Sequence, residues 1–333
     1  MYQLQAFIKD RKLYIVTLSI ALFVFTSMAV AAHKPPHLPR PKKIILTIPG
    51  FSADSISCVI PFSRAGNLIL LKAKADTTEG NFVLDTGASG LVLNVTYFRK
   101  YTASTLVNEE ASGATGTVAG VTRTEVKEFS FGCMKSVAVS ADLADLGHLE
   151  NNKGVRILGL VGLSLLLQFE MIIDYENNLL YLHRIAKKET KTYKSTQLDD
   201  TAAYSIVPVE VWNGKLVTHT VMAGKKLRLI IDSGAESNVL DSRLPASIFT
   251  NVEIIRRIQL LGTGNKKVEA IYGNLNNLVI GNQNTGNLPV IITNLEKACM
   301  ADSYCIDGIL GFDFLSLHKI GFNFVNNKMY IWK

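Results

Sequence analysis

Two acidic turns hold the chemistry this sequence can do. In the first, Asn81-Phe82-Val83-Leu84 delivers the chain into Asp85-Thr86-Gly87, and Leu91-Val92-Leu93 carries it away. In the second, Leu229-Ile230-Ile231 leads into Asp232-Ser233-Gly234, and Val239-Leu240 follows. Each acid thus stands where two apolar strands meet at a tight turn. Burial disfavours an ionised carboxylate, and a second carboxylate nearby separates the two proton affinities further, a combination suited to acid/base work on one water. Asp, Thr and Gly are common turn residues, so a lone copy would carry little weight. Two copies carry more.

The elements that must position these acids are themselves repeated. Val59-Ile60-Pro61-Phe62, Leu68 to Ala75 and Asn81 to Leu84 read as short strands before Asp85, and Ile206-Val207-Pro208-Val209, Lys215 to Met222 and Leu227 to Ile231 precede Asp232; Ile206, Pro208 and Asp232 lie 147 residues after Val59, Pro61 and Asp85 in turn. Downstream, Phe129-Ser130-Phe131-Gly132 and Gly159-Leu160-Val161-Gly162 return as Leu278-Val279-Ile280-Gly281 and Gly308-Ile309-Leu310-Gly311, displaced by 149 residues. A short helix-like stretch follows each glycine turn, Leu163 to Glu170 and Phe312 to Lys319. A strand pair around Asn177-Asn178 or Asn326-Asn327 then closes each half. Gly162 and Gly311 are read as structural turns. Each half also holds a glycine-bearing stretch, Gly113 to Gly116 and Gly262 to Asn265, open to reading as a mobile hairpin or an ordinary surface turn.

Duplicated halves can pack about a pseudo-two-fold axis, which brings a turn near the axis against its own copy. Asp85 would then face Asp232, the pair would share one proton, and a water bound between them would be activated without metal or cofactor. Thr86 and Ser233 supply hydroxyls, either across to the other half or to their own turns. Gly87 and Gly234 leave room for backbone beside the acids.

On Asp85-Thr86-Gly87-Ala88-Ser89 and Asp232-Ser233-Gly234-Ala235-Glu236, each followed by a hydrophobic-hydrophobic-Gly element, the chain resembles the retropepsin-like aspartic peptidases in their single-chain, two-repeat bacterial form. The likeness runs from about Val59 to Lys333. It implies a mostly β fold of two homologous β-barrel lobes with short helices, related by a pseudo-two-fold axis, with flap hairpins over an extended polypeptide substrate. It implies Asp85 and Asp232 as the dyad and Thr86 and Ser233 as interlocking hydroxyls beneath it. Ala88 and Ala235 match the retropepsin side, where pepsins carry a hydroxyl residue. Glu236 stands where retroviral enzymes hold an acid that contacts substrate backbone, but Ser89 opposite is not acidic, so the two sides of the cleft should bind unlike each other. Tyr272 is the nearest counterpart of a flap tyrosine and is expected to face the core instead.

The rest of the chain fits an exported protein. Lys9, Arg11 and Lys12 precede an uncharged apolar run from Leu13 to Ala32 that closes on Ala29-Val30-Ala31, so residues 1–32 read as a signal peptide or, given the length of the run, an uncleaved anchor. Residues 33–50 form a proline-rich spacer and lead-in, 51–184 the first lobe, 185–204 a charged, solvated connection, and 205–333 the second lobe. With 333 residues, 48% of them hydrophobic, there is material for two lobes. The net charge of +7 is spread along the chain without the dense basic stripe that nucleic acid requires, so no nucleic-acid partner is expected. A membrane enters only through an uncleaved N-terminal segment, and a monomer is expected. Cys58, Cys133, Cys299 and Cys305 suit an oxidising compartment and include no C-x-x-C pair. Cys299 and Cys305 could close a small loop, while Cys58 and Cys133 are either free thiols or a second bridge. Serine-hydrolase, zincin and nucleotide-binding motifs are missing. The expected function is an aspartic endopeptidase, secreted or periplasmic, with an exported peptide-binding protein that no longer cleaves as the alternative.

Overall fold

The computed structural model describes residues 50–53, 56–101, 105–106, 111–113, 116–118, 122–261, 267–296 and 305–333. The export segment and nearly all of the proline-rich spacer, both glycine-bearing stretches in part or whole, and Cys299 lie outside the described residues.

The two halves carry strands at matching spacings. Leu68–Ala75 and Thr78–Leu84 form one hairpin, and Lys215–Met222 and Lys225–Ile231, each 147 residues on, form its copy. Their turns use left-handed backbone at the equivalent positions Asp76 (φ 51°) and Ala223 (φ 48°). Leu91–Asn94 and Asn238–Asp241 repeat at the same spacing. Met134–Ala144 has its copy, 149 residues on, in Gln283–Asn284 and Leu288–Thr293. The extra two residues lie in the second half, between Asp241 and Leu278, where the first half runs from Asn94 to Phe129. The fold is mostly β, contains a closed six-stranded barrel, and has the two-lobed arrangement that the resemblance implies.

Six successive strands at one end of a thirteen-stranded sheet join the lobes, in the order Tyr204–Trp212, Lys328–Trp332, Ile320–Asn323, Phe169–Asp174, Leu179–Arg184, Ser57–Pro61. Three strands come from each half. At its centre Ile172 lies opposite Gly321, with Met171 opposite Phe322 and Ile173 opposite Ile320. Ile172 and Gly321 are themselves 149 residues apart, so the repeat maps this pair onto itself and the pseudo-two-fold axis passes through it. Met171, Ile173, Leu180, Leu182, Phe322, Met329 and Ile331 are buried on one face of the sheet, in a core cluster shared by both lobes.

The opposite face presents Glu170, Ile172, Tyr181 and His183, and the connection between lobes packs over it. Tyr193 stacks on His183 with ring centroids 3.7 Å apart, Lys319 Nζ donates to Gln197 Oε1 at 2.6 Å, and Leu198 is buried against Tyr204 and Tyr330. A cavity of about 490 Å³ lies between this connection and the sheet. The segment is therefore fastened to the sheet despite its charged composition. A disulfide ties Cys58, on the outer strand of the joining sheet, to Cys133, in the turn after Phe131, which resolves the open choice for these two thiols as a bridge. Cys305 is also disulfide-bonded. The helix-like stretches after the glycine turns are shorter than expected: a single 3-10 turn at Leu163–Leu165 and an α-helix at Phe312–Leu315, after which extended structure resumes.

Candidate active site

Each Asp turn is built around a three-residue strand that holds both of its arms. Gly159–Val161 runs parallel to Phe82–Leu84 and antiparallel to Val92–Leu93, so it occupies the space between the strand entering the turn and the strand leaving it. Gly308–Leu310 does the same between Leu229–Ile231 and Val239–Leu240. The Asp85 N–H donates to Val161 O and the Asp232 N–H to Leu310 O, both at 3.0 Å. Beyond these strands, Gly162 and Gly311 press on the turn backbone. A β-carbon there would fall 2.1 Å from Gly90 O in the first lobe and 2.6 Å from Ala235 O in the second. The next residues, Leu163 and Phe312, donate N–H groups to Ala88 O and Ala235 O, both at 2.8 Å. Both glycines thus hold the Asp turns from behind.

The two turns interlock across the axis. Thr86 Oγ1 donates to Ile231 O at 2.9 Å and accepts from the Ser233 N–H at 3.0 Å; Ser233 Oγ donates to Leu84 O at 2.9 Å and accepts from the Thr86 N–H at 3.0 Å. Of the two destinations open to these hydroxyls, the opposite lobe is the one they take. Thr86 and Ser233 are 1% and 3% exposed, so these bonds are made away from water and each would be costly to leave unmade. Gly87 and Gly234 fill the remaining requirement. A β-carbon on Gly87 would lie 2.4 Å from the Asp232 carboxyl carbon, and one on Gly234 would lie 2.5 Å from that of Asp85. Only glycine lets each turn approach the opposite acid so closely.

Asp85 and Asp232 are thereby brought into hydrogen-bonding contact, both half-buried. Burial pushes the Asp85 carboxyl up first, and the negative charge of Asp232 adds to it; together with the hydrogen bond between the acids they raise it from 3.8 to about 7, against the opposing pull of Lys215 and the Ala88 N–H. Asp85 thus keeps its proton through the acidic range while it stands in hydrogen-bonding contact with Asp232. One acid can donate while the other accepts.

Residues 217–314 match the aspartyl protease family. The matched stretch contains Asp232-Ser233-Gly234 and ends just past Gly311, so it covers the second lobe's half of the geometry just described. A search of curated proteins found no match. Among solved structures, the crystal structure of basic 7S globulin from soybean is similar over 83% of this chain and 94% of that chain, with 9% identity and a TM-score of 0.44.

The site also contains groups that the motifs alone do not reveal. Glu236 is held by the first lobe: Lys153 pairs with its carboxylate, the Asn67 N–H donates to Oε2 at 3.4 Å, and the Asn67 side-chain amide donates to its carbonyl at 3.3 Å. Ser89, its counterpart, accepts the Ser164 N–H through its carbonyl at 3.0 Å. The two flanks of the turns are thus unlike, as the change from acid to serine implied. Lys215 reaches across the lobe boundary and donates to the Gly87 carbonyl. Aligning the halves at 147 residues sets Lys215 against Leu68, and that mismatch was the available signal. Tyr272 does not face the core as expected; it is half-buried, with the Arg256 guanidinium 5.6 Å above its ring.

Proposed function

We propose that this chain is an aspartic endopeptidase that cleaves extended polypeptides outside the cytoplasm as a monomer, with Asp85 and Asp232 as its dyad. The observation that carries this reading is the contact of two carboxyls across a pseudo-two-fold axis, with each acid seated against the glycine of the opposite turn. In the proposed reaction, the oxygen of the bound water attacks the peptide carbonyl carbon while the ionised carboxylate takes a proton from that water. The protonated carboxyl gives its proton to the carbonyl oxygen, leaving a tetrahedral diol with no covalent bond to the protein. One carboxyl then gives its proton to the amide nitrogen while the other takes a proton from a diol hydroxyl, and the C–N bond breaks, releasing a carboxylic acid and an amine and restoring a singly protonated dyad. The Thr86 and Ser233 bonds keep the acids in place throughout. The match of residues 217–314 to the aspartyl protease family supports the same assignment. Ser89 and Glu236 flank the dyad on opposite sides and are the proposed substrate-backbone contacts. Export is supported by the Cys58–Cys133 bridge, which favours an oxidising compartment.

The test is cleavage of a peptide library from acidic to neutral pH by the wild type, Asp85→Asn and Asp232→Asn. Cleavage by the wild type alone is expected. Activity that survives in both variants would remove the dyad mechanism, and a wild type that binds peptides without cutting them would leave a binding protein.

A further inference from the structure

The two sides of the dyad are alike in backbone and unlike in charge. Leu68 begins the first lobe's hairpin and is 1% exposed, in a small apolar cluster with Ala65, Leu70, Val83, Leu146 and Ile157. At the equivalent place in the second lobe stands Lys215, half-buried, immediately after a two-residue turn. That turn, Asn213-Gly214, has positive φ at both positions, 47° and 73°, as a tight hairpin between twisted strands requires. The turn aims the start of the strand at the other lobe. There the Lys215 ammonium donates to the carbonyl of Gly87, the residue whose α-carbon abuts the Asp232 carboxyl.

The first lobe's hairpin makes a different contact. Its turn, Gly66-Asn67, grips Glu236 together with Lys153, four residues past the dyad acid and paired charge to charge. Lys215 has no such acid opposite, because Ser89 occupies the place equivalent to Glu236. Its charge is therefore left to act on the dyad. Among the described residues, the charged groups acting on Asp85 are Asp232 from the opposite turn and Lys215 from this hairpin, while the Ala88 N–H donates from Asp85's own turn.

We infer that Lys215 is a positioning residue of the dyad, which pins the Gly87 carbonyl across the lobe boundary and sets a cation on one side of the axis so that the two carboxyls are electrically unequal. This rests on the peptidase reading and deepens it. The inequality favours one direction of proton flow, and the cation holds the working pH range lower than two buried acids alone would have it. Its effect opposes that of burial and of Asp232, consistent with the direction in which Lys215 pulls Asp85.

Three substitutions separate the roles. Lys215→Met removes charge and donor, Lys215→Gln keeps an N–H for the Gly87 carbonyl and removes the charge, and Lys215→Arg keeps both. The pH profile of kcat/KM should move upward by about one pH unit in the Met and Gln variants and return toward wild type in the Arg variant. In parallel, the Asp carboxyl signals of ¹³C-labelled protein are titrated by NMR, with Asp85→Asn identifying the dyad signal. That signal should titrate at higher pH in Lys215→Gln. An unmoved profile and an unmoved carboxyl titration in a folded Lys215→Gln or Lys215→Met protein would overturn the inference, whatever happens to the rate. If the wild type proves inactive, the peptidase reading falls, but the carboxyl titration still decides whether Lys215 tunes the pair. An unmoved carboxyl signal beside intact cleavage would sink the role of Lys215 alone.

Discussion

Thr86→Val and Ser233→Ala should destabilise the protein strongly and by similar amounts. Removing Thr86 Oγ1 strips Ile231 O of its donor and the Ser233 N–H of its acceptor, while removing Ser233 Oγ does the same to Leu84 O and the Thr86 N–H. No bond is shared between the two sets. The hydroxyl-bearing residues are almost fully buried, so water cannot readily replace the lost partners. A buried polar group left unsatisfied costs about 1–3 kcal/mol, and two such groups per variant give about 2–6 kcal/mol. Because the four distances are matched in pairs, the two variants should agree to within about 1 kcal/mol, the scale on which mutational costs ordinarily scatter. Urea unfolding followed by far- and near-ultraviolet circular dichroism measures this, with coincident curves establishing a single transition and the midpoint shift at constant m giving the cost. A variant within about 0.5 kcal/mol of wild type, the size of an ordinary surface substitution, would refute the claim that these hydroxyls fasten the lobes.

Asp85→Asn should change how stability depends on pH. The folded protein holds the Asp85 proton more tightly than the unfolded chain does, so between about pH 4 and about pH 7 it binds more protons, and the stabilisation present at low pH is lost as pH rises through that window. A carboxyl displaced from 3.8 to about 7 corresponds to at most on the order of 4 kcal/mol, so the wild-type advantage over Asp85→Asn should shrink by up to that amount between these limits, measured by urea unfolding at each pH; a constant difference would contradict it. Cys58→Ser removes a bridge with a sequence separation of 75 residues, for which loop-closure entropy predicts a loss of about 4 kcal/mol, read from the thermal midpoint against wild type under non-reducing conditions. A midpoint that does not fall would show that the bridge constrains little.

Much of the fold was legible because the chain states it twice. Apolar alternation and glycine placement mark strands such as Leu68–Ala75, and the recurrence of that strand as Lys215–Met222 fixes the boundaries of both. The meeting of Asp85 and Asp232 was legible for the same reason, since the two Asp turns share the spacing of their flanking strands. The contacts of Lys215 and Lys153 were not, because they depend on how one lobe docks on the other; the mismatch of Lys215 with Leu68 marks the position but not the partner. The connection around Tyr193 looked solvated by its lysines and acids, yet a few side chains suffice to fasten it to a sheet. The helix Gly147–Lys153 buries none of its residues, so it leaves no apolar period for a sequence reading to detect.

The pair at the centre of the joining sheet bears on how such a chain could have come apart or together. A β-carbon on Gly321 would lie 3.1 Å from Ile172 and 3.3 Å from the rings of Trp332 and Tyr330, so the isoleucine uses the room that the glycine leaves. Two copies of the first half meeting across this ladder would set isoleucine against isoleucine, a tighter fit in which the neighbours must shift by a few tenths of an ångström. Two copies of the second would set glycine against glycine and leave a void. The junction therefore packs best between unlike halves, so separately expressed halves should pair with one another in preference to themselves.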